Sequence, residues 1–142
     1  MLIKVLVGAV FAHVAMTLAL LGWLGMARAR AVRLGEVRIS EIALSSDAWP
    51  DRIKQIANSF RNQFELPLLF YVAALLAIVT STYDVVIVVL SWCFVVLRFA
   101  HAMIHVTNNN VMNRFRVYGA GFMVLAALWV YIGVRVMLAG VV

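Results

Sequence analysis

The sequence predicts an all-α fold, an integral membrane four-helix bundle forming a single domain over residues 1–142. Three observations carry this. Hydrophobic residues make up 65% of the chain and charged residues 13%, and the mean hydropathy of +1.01 lies far outside the range of soluble domains. Four apolar runs are each long enough to cross a hydrocarbon core about 30 Å thick at about 1.5 Å per residue. The basic residues cluster between those runs, so the net charge of +6 reports topology and argues against nucleic acid as a partner.

The first run, Leu2 to Ala27, is apolar apart from Lys4 and His13. It is longer than the apolar stretch of a signal peptide and no small-residue cleavage site precedes a soluble domain, so it is expected to remain as the first span (residues 2–27). His13, alone there, is expected to be a packing residue. From Arg28 to Arg61 the chain is polar, with Arg28, Arg30, Arg33, Arg38, Arg52, Lys54 and Arg61 outnumbering Glu36, Glu41, Asp47 and Asp51. Ser45-Ser46-Asp47 followed by Trp49-Pro50 reads as a loop ending at a helix start, because proline fits a first turn and Ser or Asp can cap it. The second helix should therefore run over residues 50–80, with Ile53, Ile56, Ala57 and Phe60 as an apolar stripe. Trp49 is either an interface anchor or a loop-packing residue.

Ser81-Thr82-Tyr83-Asp84 leaves room only for a tight turn, so the second and third helices should form an antiparallel hairpin, the third covering residues 83–106. Cys93, the only cysteine, excludes an internal disulfide and is expected to be an inert buried thiol. Asn108-Asn109-Asn110 suits a turn with cap partners. The fourth helix should cover residues 113–138, with Arg114 and Arg116 at its start and Arg135 snorkelling to the far interface. Both basic connections then lie on one side. Loops 28–61 and 107–116 are expected to be cytoplasmic and both termini outside.

The chemistry is concentrated in Arg61-Asn62-Gln63-Phe64-Glu65-Leu66-Pro67, at the start of an apolar run. A charge at membrane depth costs roughly 2.5–3.5 kcal/mol, so such groups face a bundle interior and mark a site. On one continuous helix Arg61, Asn62 and Glu65 would share a face. Pro67, lacking an N–H, should leave the carbonyl of Gln63 free and kink the helix there. The third helix carries Arg98, His101 and His105 on one face, and Arg98 sits about as deep as Glu65, so the two can pair. His101 and His105 with Glu65 offer two imidazoles and a carboxylate, yet Arg98 and Arg61 would repel a dication, and no metal is expected. Arg61, Arg98, Arg114 and Arg116, with an acid and amides, suit a carboxylate-bearing zwitterionic ligand whose ammonium group Glu65 could hold.

The pattern Asn62-x-x-Glu65 with nearby Pro67, then Arg98-x-x-His101-x-x-x-His105, in a four-span chain of this length resembles the MAPEG superfamily, the membrane-associated proteins in eicosanoid and glutathione metabolism. The resemblance implies a homotrimer that binds glutathione, or a related low-molecular-weight thiol, between neighbouring subunits toward the cytoplasmic side. It further implies a thiolate presented to a hydrophobic small molecule arriving from the lipid bilayer. By position, Asn62 and Glu65 match the family's glutathione-contacting residues and Arg98 its third-helix arginine. His101 and His105 stand where many members have tyrosines; bacterial members often have His at the first, so the chain resembles a bacterial-type microsomal glutathione transferase of the inner membrane. The arginine that stabilises the thiolate corresponds to Arg114 or Arg116, with Arg116 slightly favoured, and His105 would help orient the sulfur. The chain departs from the family at Asn58, where a basic residue is usual, at Leu66, where an aromatic is usual, and at Pro67, one residue early. Two other readings stay open: a non-catalytic membrane module binding lipid or a protein partner, and a Glu65–Arg98 pair acting as subunit glue.

Overall fold

The structure is a computed structural model describing residues 1–43 and 45–138. Helix α1 spans Leu2–Arg33, running past the expected end at Ala27. Two things extend it. Ala31 has an apolar surface to pack on, and Arg30 and Arg33 in the last turn complement the negative end of the helix dipole. Gly35, at φ +71, closes it: Glu36 N–H donates to Ala31 O and Gly35 N–H to Val32 O, each at 3.0 Å, a glycine-closed helix end.

A short helix α2, Ile39–Ile42, follows, and then α3, Asp51–Arg61. Pro50 itself occupies the cap position; Ser45 instead accepts from Asp47 N–H at 3.1 Å within the loop, so neither residue caps α3. Trp49 is a loop-packing residue, buried with Leu24, Ala31, Val37, Ile53 and Ala57, and the Arg28 guanidinium lies 5.1 Å from its ring centroid.

The helix expected over residues 50–80 with a kink at Pro67 is in fact two. After α3 the chain makes a 3-10 turn, Asn62–Phe64, turns at Glu65 (φ −93, ψ −104) and restarts as α4, Leu66–Val79, with Pro67 in its first turn. A proline that would disrupt a helix interior is well suited to a helix start, where its missing N–H has no partner to lose. Helix α5 spans Val85–Val106, with Asp84 as its N-cap accepting from Ile87 N–H at 3.0 Å. Helix α6 spans Val111–Leu138, beginning before Asn113; Asn110 accepts from Asn113 N–H at 3.0 Å and Asn109 takes a left-handed φ of 52 that asparagine tolerates.

Among the described residues four helical segments are long and apolar enough to cross a bilayer: Leu2–Arg33, Asp51–Val79, Val85–Val106 and Val111–Leu138. The protein is an integral, multi-pass membrane protein. Helix α5 packs chiefly on α6 and α1, and α4 packs on α6, whereas α4 and α5 touch little despite their tight turn. The hairpin is thus sequential rather than a packing unit. Leu6 and Ala9 of α1, Phe70, Ala73 and Ala77 of α4, Ile87 and Phe94 of α5, and Leu125, Leu128 and Ile132 of α6 form one core, in which the alanines permit close approach. His13 lies in this interior, its Nδ1 2.7 Å from the Tyr71 hydroxyl and its ring stacked near Phe94, while its Nε2 has no partner among the described residues. Cys93 is exposed rather than buried, because its position on α5 points away from the core made by Phe94 and Val95.

Arg135 pairs with Asp84, whose Oδ2 also accepts from the Tyr131 hydroxyl at 2.7 Å, so the α4–α5 turn is tied to the end of α6. Partial burial pushes the Asp84 carboxyl up, but the Tyr131 hydroxyl, the Ile87 N–H and the Arg135 guanidinium outweigh it and hold the group below its ordinary value. A depressed folded-state value means that the stabilisation is complete above the unfolded value, about 3.9, and is lost as pH falls through the lower folded value. Asp84→Ala should lower stability in detergent at pH 7 by at least the loss of an N-cap, about 1 kcal/mol. Thermal unfolding followed by circular dichroism should show that the gap between variant and wild type closes in strong acid; a gap independent of pH would contradict this.

Candidate functional site

The site is built where α3 ends against α5. Gln55 of α3 donates to the carbonyls of His105 at 2.6 Å and Thr107 at 3.2 Å, and Arg52 donates to the carbonyl of Val106, so α3 side chains cap the end of α5 and fix the two helices in register. Arg98, on α5, is 1% exposed. Its Nη2 donates to the carbonyl of Asn62 at 2.7 Å and to Oε1 of Gln63 at 3.3 Å, and Gln63 Nε2 donates to the carbonyl of Ser59 at 2.8 Å.

This geometry corrects the expectation that Arg98 pairs with Glu65: Arg98 makes no ion pair with it and takes the carbonyl of Asn62 instead. The break at Glu65 also ends the common helical face of Arg61, Asn62 and Glu65. Arg61 and Glu65 are exposed and Asn62 is half-buried, while Gln63 turns inward. The Glu65 carboxylate nevertheless stays within electrostatic reach of Arg98 and Tyr118. Gln63 was legible in principle, since Ile56, Ser59 and Gln63 follow one another at helical spacing on the buried side of α3.

Beside Arg98 opens a cleft of about 250 Å³ lined by Asn62, His101, Val111, Arg114, Phe115 and Tyr118. Tyr118 lies with its ring centroid 5.7 Å from His101 and 5.9 Å from the Arg98 guanidinium. The sequence reading passed over Tyr118, although it stands one helical turn beyond Arg114 on the same face of α6. Arg116 is two residues from Arg114, about 200° around the helix, and is exposed outside the lining. Arg114 donates from Nη1 to Asn109 Oδ1 at 2.7 Å, and its buried Nε has no partner among the described residues. His105 is buried one turn from His101, with ring centroids 5.8 Å apart, and lies behind the cleft rather than in its wall. Asn58 and Arg61 line a second, smaller cleft with Arg28, Trp49 and Lys54. Asn62 Nδ2 donates back to the carbonyl of Asn58 at 3.3 Å, one turn earlier on α3. Among the described residues no three His, Cys, Asp or Glu side chains converge on a point where they could hold a metal ion.

The arrangement offers amide, imidazole, phenol and guanidinium groups to one cleft and several cations to its neighbour, which is suited to an anionic ligand with several polar ends. A model of the MAPEG family matches residues 6–134 of the chain. The chain belongs to the MAPEG family. Comparisons with curated proteins and with solved structures find no match. The MAPEG match includes all the residues of both clefts, from Arg28 to Tyr118, and sets this bundle in a family broadly associated with glutathione metabolism in membranes.

Proposed function

We propose that this MAPEG protein binds glutathione, or a related low-molecular-weight thiol, and presents its thiolate to an apolar electrophile that arrives through the bilayer. The observation that carries the reading is the cleft that brings Asn62, His101, Arg114 and Tyr118 together. Asn62 and Glu65 hold the peptide ligand, and Arg114 stabilises the thiolate, as positive surroundings do for reactive cysteines. His105 acts from behind His101. Asn58 and Arg61, with the cations of the second cleft, meet the ligand's carboxylates. The subunits form a homotrimer with the ligand between neighbours, which gives the exposed Arg61 and Glu65 a role. The basic loops and the site face the cytoplasm of a bacterial cell and the termini face outward, by the excess of arginine and lysine on the site's side.

Calorimetric titration of glutathione into the detergent-purified protein tests this. Saturable binding is expected, followed by conjugation of broad electrophiles such as chlorodinitrobenzene. A wild type that binds neither glutathione nor other low-molecular-weight thiols such as cysteine and γ-glutamylcysteine overturns the proposal and leaves the non-catalytic reading, for which co-purified lipid identified by mass spectrometry is the next observation.

A further inference from the structure

We propose that Arg98 and Gln63 are positioning residues of this site: together they hold the break between α3 and α4, and so set where Asn62 and Glu65 meet the ligand. The inference rests on the glutathione reading for its functional consequence, but the clamp itself is a property of the chain alone. By family resemblance Arg98 is a ligand contact. In this fold it is 1% exposed, lies outside the lining of both clefts, and donates from Nη2 to the Asn62 carbonyl and the Gln63 side chain. Its Nε and Nη1 are buried as well, with no partner among the described residues, so a molecule in the cleft does not reach them.

The physical need for a clamp comes from the backbone. Where α3 ends, its last carbonyls lose their helical partners and carry the negative end of the helix dipole. A guanidinium at 2.7 Å from the C-cap carbonyl of Asn62 meets both demands. Gln63 completes the clamp because it accepts from Arg98 and donates to Ser59 O, one turn back on α3, so a shift of the 3-10 turn would break both bonds. The Asn62 side chain lines the cleft from the same residue whose carbonyl is gripped, and Glu65 is the residue at which the chain turns. The charge on Arg98 therefore acts on the ligand through the backbone of residues 62–65.

The test combines two readouts on wild type, Gln63→Leu and Arg98→Lys. In the absence of ligand, amide hydrogen exchange across residues 62–68 should be faster in Gln63→Leu than in wild type, with α5 and α6 unchanged. Calorimetry with glutathione and with each of its two monoethyl esters, which lack one carboxylate apiece, should show all three ligands weakened by the same factor, about tenfold, the scale of one hydrogen bond to a charged group. Arg98→Lys, which keeps a cation within reach of the Asn62 carbonyl, should recover part of both effects and fold even if Gln63→Leu does not. Unchanged exchange at residues 62–68 in the folded variants overturns the clamp. A loss in Arg98→Lys confined to glutathione and one ester shows direct carboxylate contact and overturns the positioning role. If wild type binds none of the ligands, the glutathione reading fails by itself, while the exchange measurement still decides whether the clamp exists.

Discussion

Arg114→Ala is expected to slow thiol conjugation by about 10²-fold, the scale on which removing one preorganised donor to a developing anion acts. A free thiol with a pKa of about 8.5 is only a few per cent ionised at neutral pH, so the protein's main task is to make the anion the stable form. Arg114 lines the cleft, is steadied by Asn109 at 2.7 Å, and keeps a buried Nε without a partner among the described residues, so its guanidinium is both fixed and incompletely used. Arg116 projects from another side of α6 into the exposed surface. Arg116→Ala should consequently stay within about twofold of wild type, since exposed charges contribute weakly. The measurement is the ultraviolet absorbance of bound thiolate across a pH titration, with conjugation rates alongside: the Arg114 variant should ionise its thiol at higher pH. The opposite ranking of the two variants would move the thiolate to the other face of α6, against the placement proposed here.

Glu65→Gln should abolish most glutathione affinity, about tenfold or more, without changing the oligomer. The magnitude is that of a charge-assisted hydrogen bond between carboxylate and ammonium. The expectation of an intact assembly has a specific basis: Glu65 makes no ion pair with Arg98, and it sits at a turn whose backbone is gripped by other groups. Size-exclusion chromatography with light scattering in detergent, run beside calorimetry, separates the two roles. Dissociation into smaller species at full ligand affinity would make Glu65 subunit glue instead.

Much of this molecule is readable from its residues. Four apolar runs, a basic side, the tight turn before Asp84 and the asparagine cap before α6 all follow from local chemistry, because hydrophobicity and cap preferences act within a few residues of where they are written. The shared face of Arg98, His101 and His105 follows likewise from helical spacing within one unbroken helix, and all three are buried. The reading went astray at Pro67, where kink and helix start are both consistent with a missing N–H. The start is the form this chain takes, and Arg98, distant in sequence, takes the carbonyl of Asn62 at the break.

The sequence alone determined the class of molecule, its family and the set of groups available for chemistry. Only the tertiary structure decided which of them converge: Gln63 rather than Glu65 on Arg98, Arg114 and Tyr118 rather than Arg116 in the cleft, and Cys93 outside the core. Periodicity fixes the faces of each helix, but the rotation of one helix against another depends on packing among side chains far apart in the chain, and no local pattern records it.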